Sequence, residues 1–295
     1  MKLVMKIIHV GQNFDYKSIN DALKNCQSGD ILMLEDSSYY EKVIVDKEGI
    51  SIIGNNSVIY YDDYAEKIHK DGRPYITFRT YSMLIKANNV TLKNLIIKNV
   101  SGYGKSIGQA VALSIYADNI HLINCKLSAY QDTLFIGPFS KDLEERYVDL
   151  LPIEERISEV NYYSYFEQCE IEGNVDFIFG GGNATFNNCK IYSLKANGKA
   201  WVCAPDHNKE NNHGFIFNNC YFLNKSAEDE VFIARPWRKY GFVTLNNCYL
   251  DKHISPKGFD IWSEGDERLP ARFYENHSYG PGENNKRRNS FVVVK

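Results

Sequence analysis

The chain has 295 residues, of which 44% are hydrophobic and 24% charged, so it is long enough to bury a sizeable core. Its formal net charge of −3 excludes the broad basic field of a nucleic-acid-binding protein, but not a polyanionic substrate held by a few local Arg and Lys side chains. The 21 Tyr, 16 Phe and 3 Trp residues suit a groove that stacks on sugar rings as well as an ordinary core.

The N-terminus, MKLVMKIIHVGQNF, contains an apolar run that Lys6 and His9 interrupt. The run is too short for the hydrophobic region of a secretory signal, and no small-residue cleavage site follows it. We therefore expect a cytoplasmic protein, or a secreted one if the sequence is a mature form. No stretch approaches the ~18 apolar residues that a membrane span needs.

The first predicted element is a short amphipathic helix over residues 16–26. Ser18 is a candidate N-cap, the apolar positions share one face, and Gly29 follows the end of the helix. Such a helix would cap the open end of a repeat fold. Residues 31–34 and 42–45 then predict the first strands.

Six segments further along share one pattern of an alternating apolar strand, an Asn or Gln, a Cys or Leu, and a second apolar pair. Asn is a poor residue inside a strand but a good one in a tight bend, so each segment predicts a strand, a corner and a strand. The segments begin at Val90, Ile120, Ser164, Ala184, Phe215 and Val243.

Seven cysteines help to define the fold class. No two form a CxxC pair, which argues against a zinc knuckle, and their odd number argues against a disulfide scaffold. Five recur in the segments, at positions 125, 169, 189, 220 and 248, so the intervals are 44, 20, 31 and 28 residues. Propeller blades would need ~40 residues each at even spacing. The irregular intervals instead favour an all-β, right-handed parallel β-helix, with the cysteines stacked inside it and Asn ladders at its corners.

The residues from Gly280 onward are polar and rich in turn formers. We expect them to leave the β-helix and pack along its side. No linker divides the chain, so we predict one domain over residues 1–295.

Four polar clusters lie inside strongly apolar strings and are candidates for chemistry. Asp132 and Asp176 lie beside strand-like runs, where an unpaired carboxylate would be costly. Their separation of 44 residues equals one long coil or two short ones, which could place them side by side. With Arg235 available to keep one ionised, they could divide the roles of acid and nucleophile. The clusters are GQAVAL at 108–113, YQDTLF at 130–135, DFIFG at 176–180 and RPW at 235–237.

Each of these residues, taken singly, also has a structural explanation. A lone Asp at a strand end is more often a turn or capping residue, and Gln109 and Gln131 could be amides of a corner ladder. Arg235 could be a structural ion-pair partner, and Trp237 could belong to the core. The functional interpretation depends on their joint occurrence.

That joint occurrence resembles the pectin methylesterase family, which are carbohydrate esterases that remove methyl groups from polygalacturonate. The resemblance extends from VGQNFDYKSINDAL at 10–23, through the four clusters in the family's order, to HISPKGFDIW at 253–262. It implies a right-handed parallel β-helix without a metal or organic cofactor, in agreement with the repeat. It also implies methylated pectin or an oligogalacturonide as substrate, and we expect a monomer with neither a nucleic acid nor a membrane as partner.

The resemblance also assigns roles to residues. Asp176 matches the nucleophile, and Asp132 matches the general acid and base. Gln109 and Gln131 match the amides that stabilise the tetrahedral oxyanion, and Arg235 matches the residue that holds and ionises the nucleophile. As substrate contacts we expect Trp237, Tyr130, Phe135 and Trp262 from these motifs, and Thr80 outside them.

Two departures from the family's pattern concern the groove. VCAPDHN at 202–208 stands where the family has an Ala-Gln segment, which leaves that wall of the groove undetermined. The 135–165 connection is longer than in plant members. Its charged part, 141–146, could lie over the groove and influence chain-length or methylation preference, or it could be a solvated loop of no catalytic importance.

Two rival functions stay open at this point. One is a less specific esterase or thioesterase with the same carboxylates, and the other is a β-helix that binds polysaccharide without cleaving it. A pectin lyase would need a calcium-binding carboxylate cluster, and a polygalacturonase would need an Asn-Thr-Asp block. We find neither in the sequence.

Overall fold

The computed structural model describes residues 5–151, 161–228, 230–265, 271–284 and 286–295. The helices are α1 (Ile19–Asn25) and α2 (Lys141–Arg146), with a 3-10 turn at Thr77–Arg79. The strands, in chain order, are β1 (Ile7–Val10), β2 (Ile31–Leu34), β3 (Ser38–Tyr40), β4 (Val43–Val45), β5 (Ser51–Tyr61), β6 (Met83–Ile85), β7 (Thr91–Asn99), β8 (Leu113–Ile115), β9 (Ile120–Ile123), β10 (Lys126–Ser128), β11 (Leu134–Ile136), β12 (Tyr163–Glu167), β13 (Glu170–Gly173), β14 (Val175–Gly180), β15 (Asn183–Asn187), β16 (Lys190–Ser193), β17 (Ala200–Pro205), β18 (Phe215–Asn218), β19 (Tyr221–Asn224), β20 (Val231–Ala234), β21 (Phe242–Asn246), β22 (Tyr249–Leu250), β23 (Arg272–Asn276) and β24 (Val292–Val294).

The strands pair in parallel with the equivalent strands of the next coil and form three faces. The first face runs β1-β2-β5-β7-β9-β12-β15-β18-β21-β23-β24, and the second runs β3-β5-β7-β10-β13-β16-β19-β22. The long strands β5 and β7 bend round the corner and belong to both. The third face runs β4-β6-β8-β11-β14-β17-β20. The predicted parallel β-helix is confirmed.

The corner between the first and second faces repeats one left-handed turn. Asn at these positions tolerates a positive φ, since its short polar side chain bonds locally. In the later coils the residue before the turn is also an Asn, and these side chains form a ladder. Asn218 donates to Oδ1 of Asn187 at 2.9 Å, and Asn246 donates to Oδ1 of Asn218 at 2.9 Å. The turn residues, all with φ between 51° and 55°, are Asn94, Asn124, Gln168, Asn188, Asn219, Asn247 and His277.

The interior of the β-helix consists of stacked small and aromatic side chains. The five repeat cysteines are each at most 2% exposed, as the sequence predicted. Phe186 stacks between Phe166 and Phe217, with ring centroids 4.5 Å away on both sides. Parallel stacking of like residues therefore holds successive coils in register.

The N-terminal end is capped as predicted. The Ser18 hydroxyl accepts from the Asp21 amide at 3.2 Å, and α1 buries Ile19, Ala22 and Leu23. The prediction of the first strand was wrong, because β1 precedes α1 and pairs with β2. In this terminal coil only Val10 of β1 is buried, so the strand shows little alternation of apolar and polar residues.

The C-terminal segment follows the prediction only in part. Arg288 packs along the stack through a bidentate ion pair with buried Glu275, at 2.7 and 3.0 Å. The chain then rejoins the first face, since β24 pairs with β23. No helix in the described part of the chain is both long enough and apolar enough to cross a membrane.

A second apolar cluster covers the outer side of the third face, and we call it the outer cluster. The connection after β11 supplies part of it, so this face is buried on both sides. Its buried members are Phe78, Leu84, Val111, Tyr116, Phe135, Phe139, Leu143, Leu151, Phe179 and Ala204.

Candidate active site

One pocket of about 270 Å3 brings most of the predicted chemistry together on the third face. It collects side chains that are separated by more than a hundred residues in the sequence. Its lining residues are Thr77, Phe78, Gln109, Gln131, Asp132, Leu143, Arg146, Tyr147, Asp176, Phe179, Ala204, Arg235, Trp237 and Trp262.

The two aspartates reach this pocket from unusual backbone positions. Asp132 precedes β11 with φ 64°, and Asp176 lies in β14 with φ 50°. Between Val175 and Ile178, β14 carries one residue more than its partner β17, which is a β-bulge that re-aims the Asp176 side chain. Such left-handed conformations cost about 1–3 kcal/mol each, so the surrounding strands must hold them in place. The two residues are 8% and 7% exposed.

Arg235 follows β20 and holds only one of the two carboxylates. Its Nε donates to Oδ1 of Asp176 at 2.9 Å, and its Nη2 donates to Oδ2 at 2.6 Å. This bidentate pairing is the strong form of the ion pair, because the planar guanidinium matches both oxygens. Asp176 is therefore both oriented and charge-compensated.

The guanidinium of Arg235 is itself held between two indole rings. Its Cζ lies 3.7 Å from the ring centroid of Trp201 and 4.2 Å from that of Trp262. Trp201 is fixed in turn, since its Nε1 donates to Oδ2 of Asp260 at 3.1 Å. A chain of contacts thus runs from Asp260 to the carboxylate of Asp176.

The protonation of the two aspartates is unequal. Burial raises the pKa of Asp132 well above its ordinary value, the charge of Asp176 raises it further, and Arg235 offsets these effects only in part. Burial also raises the pKa of Asp176, but the hydrogen bonds and the charge of Arg235 oppose that rise. The arrangement favours a protonated Asp132 beside an ionised Asp176.

Gln109 and Gln131 line the same pocket, one before β8 and one beside Asp132. Their main-chain carbonyls join the coil hydrogen bonds, accepting from Ala65 at 2.9 Å and Ala110 at 3.2 Å. Neither side-chain amide bonds to another of the residues described. Two amide donors are therefore available to an oxygen placed in the pocket.

The residues predicted to contact the substrate differ in where the structure places them. Trp237 and Trp262 line the pocket. Tyr130 is partly buried, stacks on Tyr103 at 4.6 Å and is not among the lining residues. The prediction was wrong for Phe135 and Thr80, which are both 0% exposed.

Both wrong predictions have a physical reason. The outer side of β11 faces the outer cluster rather than solvent, so Phe135 packs between Phe78 and Phe139. The Thr80 hydroxyl joins two main-chain segments, because it donates to the Thr77 carbonyl at 2.7 Å and accepts from the Val111 amide at 2.9 Å.

Sequence reasoning missed two contributors to the site, Trp201 and Asp260. Trp201 lies directly before the divergent 202–208 segment, and Asp260 lies two residues before Trp262 in the last matched motif. The only signal in the sequence was that Asp260 lies close to aromatic residues. That signal does not reveal that Trp201 stacks on Arg235.

The wall that the sequence left undetermined is the end of β17 and the residues after it. Ala204 lines the pocket, and Asp206 is buried behind it, 3.9 Å from Nε of Arg238. Burial raises the pKa of Asp206 to about 7, and Arg238 opposes this shift. This aspartate is a third buried carboxyl on the same face, outside the pocket lining.

The long connection after β11 reaches the pocket. Leu143 and Arg146 of α2, and Tyr147 after it, line the pocket, which favours the interpretation of a segment over the groove. Residues 152–160 of the connection lie outside the described part of the chain.

Comparisons with known proteins agree with this geometry. The Pectinesterase family model matches residues 7–141 and 159–295. The chain belongs to the pectinesterase family. This is a family of carboxylic ester hydrolases, so the predicted enzyme class is confirmed at the level of the family.

Individual relatives are distant. Pectinesterase QRT1 of Arabidopsis thaliana is 30% identical over 256 residues, covering 83% of this chain, while the chain spans only 60% of that relative. Pectinesterase 31 of the same plant is 27% identical over 281 residues, which are 91% of this chain and 80% of the relative. The solved pectin methylesterase from carrot has a TM-score of 0.82 at 20% identity, covering 100% of this chain and 89% of its own, and supports the fold.

Membership of the family also corrects one expectation. The cytoplasmic location inferred from the N-terminus is wrong, because the homologous pectinesterases are secreted enzymes of the cell wall. The short apolar run at the start of the sequence was not a sufficient basis for that inference.

Proposed function

We propose that the chain hydrolyses methyl esters of polygalacturonate or oligogalacturonides, releasing methanol and a free carboxylate. The observation that carries this proposal is the pair of buried aspartates in one pocket, of which Arg235 holds only Asp176. We further propose that one catalytic domain over residues 1–295 acts as a monomer.

In the first half of the reaction, an ionised oxygen of Asp176 attacks the carbonyl carbon of the methyl ester. The negative charge that develops on the carbonyl oxygen is received by the amides of Gln109 and Gln131. As the bond to the methoxy oxygen breaks, Asp132 transfers its proton to that oxygen and methanol leaves. An anhydride between Asp176 and the uronic acid remains.

In the second half, Asp132 is ionised and acts as a base. It takes a proton from a water molecule, whose oxygen attacks the anhydride and restores the carboxylate of Asp176. The product is a galacturonate carboxyl group, and Asp132 again carries its proton. Each step moves protons and acyl groups between residues of this chain and water.

Methanol release from methylated pectin tests the proposal. The native protein should release methanol, whereas Asp176→Ala and Asp132→Ala should not; the exposed Asp15→Asn is the matched control and should retain full activity. Methanol release that survives Asp176→Ala would contradict the nucleophile. Turnover of simple acyl esters without turnover of pectin would identify a less specific esterase, and binding of pectin without methanol release would identify a carbohydrate-binding protein.

A further inference from the structure

Helix α2, inside the long connection, is fastened to the β-helix beside the pocket. Asp142 accepts from Nε and Nη2 of Arg238 at 3.2 and 2.6 Å, across 96 residues of sequence. Leu143 is buried in the outer cluster. Downstream of α2, Arg79 donates to the Leu150 carbonyl at 3.1 and 2.7 Å. The helix therefore holds a fixed position on the rim of the pocket.

Arg146, in the last turn of α2, presents its side chain to this pocket. It lines the pocket, yet its side chain is 60% exposed. Its ion pair with Asp142 is long, at 3.8 Å, because the carboxylate of Asp142 already accepts two hydrogen bonds from Arg238. An incoming anion would therefore compete only with a weak, solvent-exposed contact.

Among the residues that the structure describes, Arg146 is the positive group of the pocket that faces a ligand. Four charged side chains of this described part line the pocket: Asp132, Asp176, Arg235 and Arg146. Arg235 is bound bidentately to Asp176, and the raised pKa of Asp132 favours its neutral form. The charge of Arg146 is not balanced by any strong contact with these groups.

We propose that Arg146 binds the free carboxylate of a galacturonosyl residue next to the one whose ester is cleaved. A guanidinium pairs with both oxygens of a carboxylate, whereas a methyl ester carries no charge and accepts more weakly. The chain then prefers substrate that is already partly de-esterified. This inference rests on the proposed function. It assigns to α2 a preference for partly de-esterified over fully methylated substrate.

The first test compares two substrates, polygalacturonate with all carboxyls methylated and polygalacturonate with half of them methylated at random. Arg146→Gln should lower kcat/KM about fivefold on the half-methylated substrate and leave it nearly unchanged on the fully methylated one. Arg146→Lys, which keeps the charge but cannot pair with both carboxylate oxygens, should retain only part of the preference. The matched control is Arg287→Gln, an exposed Arg in the C-terminal segment, and it should alter neither value. An equal fall on both substrates, or no fall on either, would overturn the inference.

The second test measures binding without turnover. Unmethylated tetragalacturonate should bind Arg146→Gln about fivefold more weakly than the native protein, and the difference should shrink at high salt because exposed charges are screened. If methanol is never released but this difference persists, the proposed function fails while the carboxylate site stands. If methanol is released and neither the preference nor the binding changes, the carboxylate site alone fails.

Discussion

Two corners of the same β-helix contain residues with left-handed backbone conformations, and the two corners serve different purposes. At the corner between the first and second faces, Asn188, Asn219 and Asn247 donate their main-chain amides to carbonyls of the next coil at 2.9–3.0 Å. Asp132 does the same towards Val175, at 3.1 Å. The main-chain hydrogen bond is the same in both places, so the difference lies in the side chains. We call the first place the Asn corner, and the second, where Asp132 and the bulged Asp176 face the pocket, the Asp corner.

The Asn corner satisfies its side chains locally, whereas the Asp corner does not. Amides of successive coils pair with one another along the ladder, and the result is stability without chemistry. At the Asp corner, buried carboxylates face a pocket and depend on Arg235 and on each other. The comparison shows how a repeat fold acquires a site: one corner carries a ladder of amides that pair with one another, and the other carries carboxylates that need a partner from elsewhere.

The largest expected effect removes the charge at the Asp corner. Asp176→Asn should lower kcat roughly 10⁴-fold or more, since loss of a nucleophile abolishes the covalent route. The substitution keeps the shape of the side chain, so circular dichroism should show an unchanged fold. A variant with more than a hundredth of native methanol release would break the distinction between the two corners.

The next effect concerns the side-chain amide of Gln131, which bonds to no other residue in the described part of the chain. Gln131→Ala should lower kcat by about 10²–10³ with little change in KM, because this donor acts on the developing oxyanion. The matched control is Gln27→Ala at an exposed position, and it should change neither kcat nor KM. A change confined to KM would show that Gln131 binds the ground state of the substrate instead.

A third buried aspartate tests whether burial alone, without a left-handed turn, has a cost. Asp206 has a pKa of about 7 in the folded protein and an ordinary value near 4 when unfolded. As the pH rises from 4 to 7, the unfolded chain releases this proton and the folded chain keeps it, so the free energy of unfolding falls. Asp206→Asn should remove that decline and stabilise the protein by ~2 kcal/mol at pH 8.

Urea unfolding at pH 5 and pH 8 measures this effect. The native protein should be less stable at pH 8 relative to Asp206→Asn, and the two should converge at acid pH. The exposed Asp15→Asn serves as the control for removal of a negative charge. If Asp206→Asn is less stable than native at pH 8, the buried carboxylate has a stabilising partner after all.

A smaller effect is expected behind Arg235. Trp201→Phe keeps an aromatic ring over the guanidinium but removes the hydrogen bond to Asp260. We expect kcat to fall about tenfold at constant KM, because a slight misplacement of Arg235 displaces the nucleophile. The acid limb of the pH profile of kcat should also move to higher pH, because a weaker contact with Arg235 raises the pKa of Asp176. A fall in stability without this shift would mean that Trp201 contributes packing alone.

The smallest effect should come from the Asn ladder. Asn218→Ala removes one rung, where this side chain donates to Asn187 and accepts from Asn246. We expect a loss of ~1 kcal/mol in the free energy of unfolding and no change in kcat. A loss of activity from this variant would mean that the two corners are coupled.

The sequence allowed the Asn corner to be predicted in more detail than the pocket. Each turn lies within one short segment, so the Asn-Asn-Cys pattern and its spacing reveal the strands, the corner and the buried cysteine together. The same holds for Ser18 at the start of α1, whose cap is a local contact. Local rules of this kind need no knowledge of distant partners.

The pocket depends on contacts that the repeat does not encode. The stack of Trp201 on Arg235 and the reach of α2 to the rim join segments far apart in the sequence. Phe135 was misassigned because strand alternation places it outside the coil but does not reveal that the outer cluster covers it. The site residues came from matched motifs, whereas their geometry came from the packing of loops.

The most direct test of the account is the titration of the two pocket aspartates by carboxyl-carbon NMR. Spectra of Asp132→Asn and Asp176→Asn would assign the signals, since interacting carboxyls otherwise titrate as a pair. We predict that Asp132 titrates at higher pH than Asp176, and that Arg235→Gln reduces the gap. A higher pKa for Asp176 than for Asp132 in the native protein would contradict the division of roles between them.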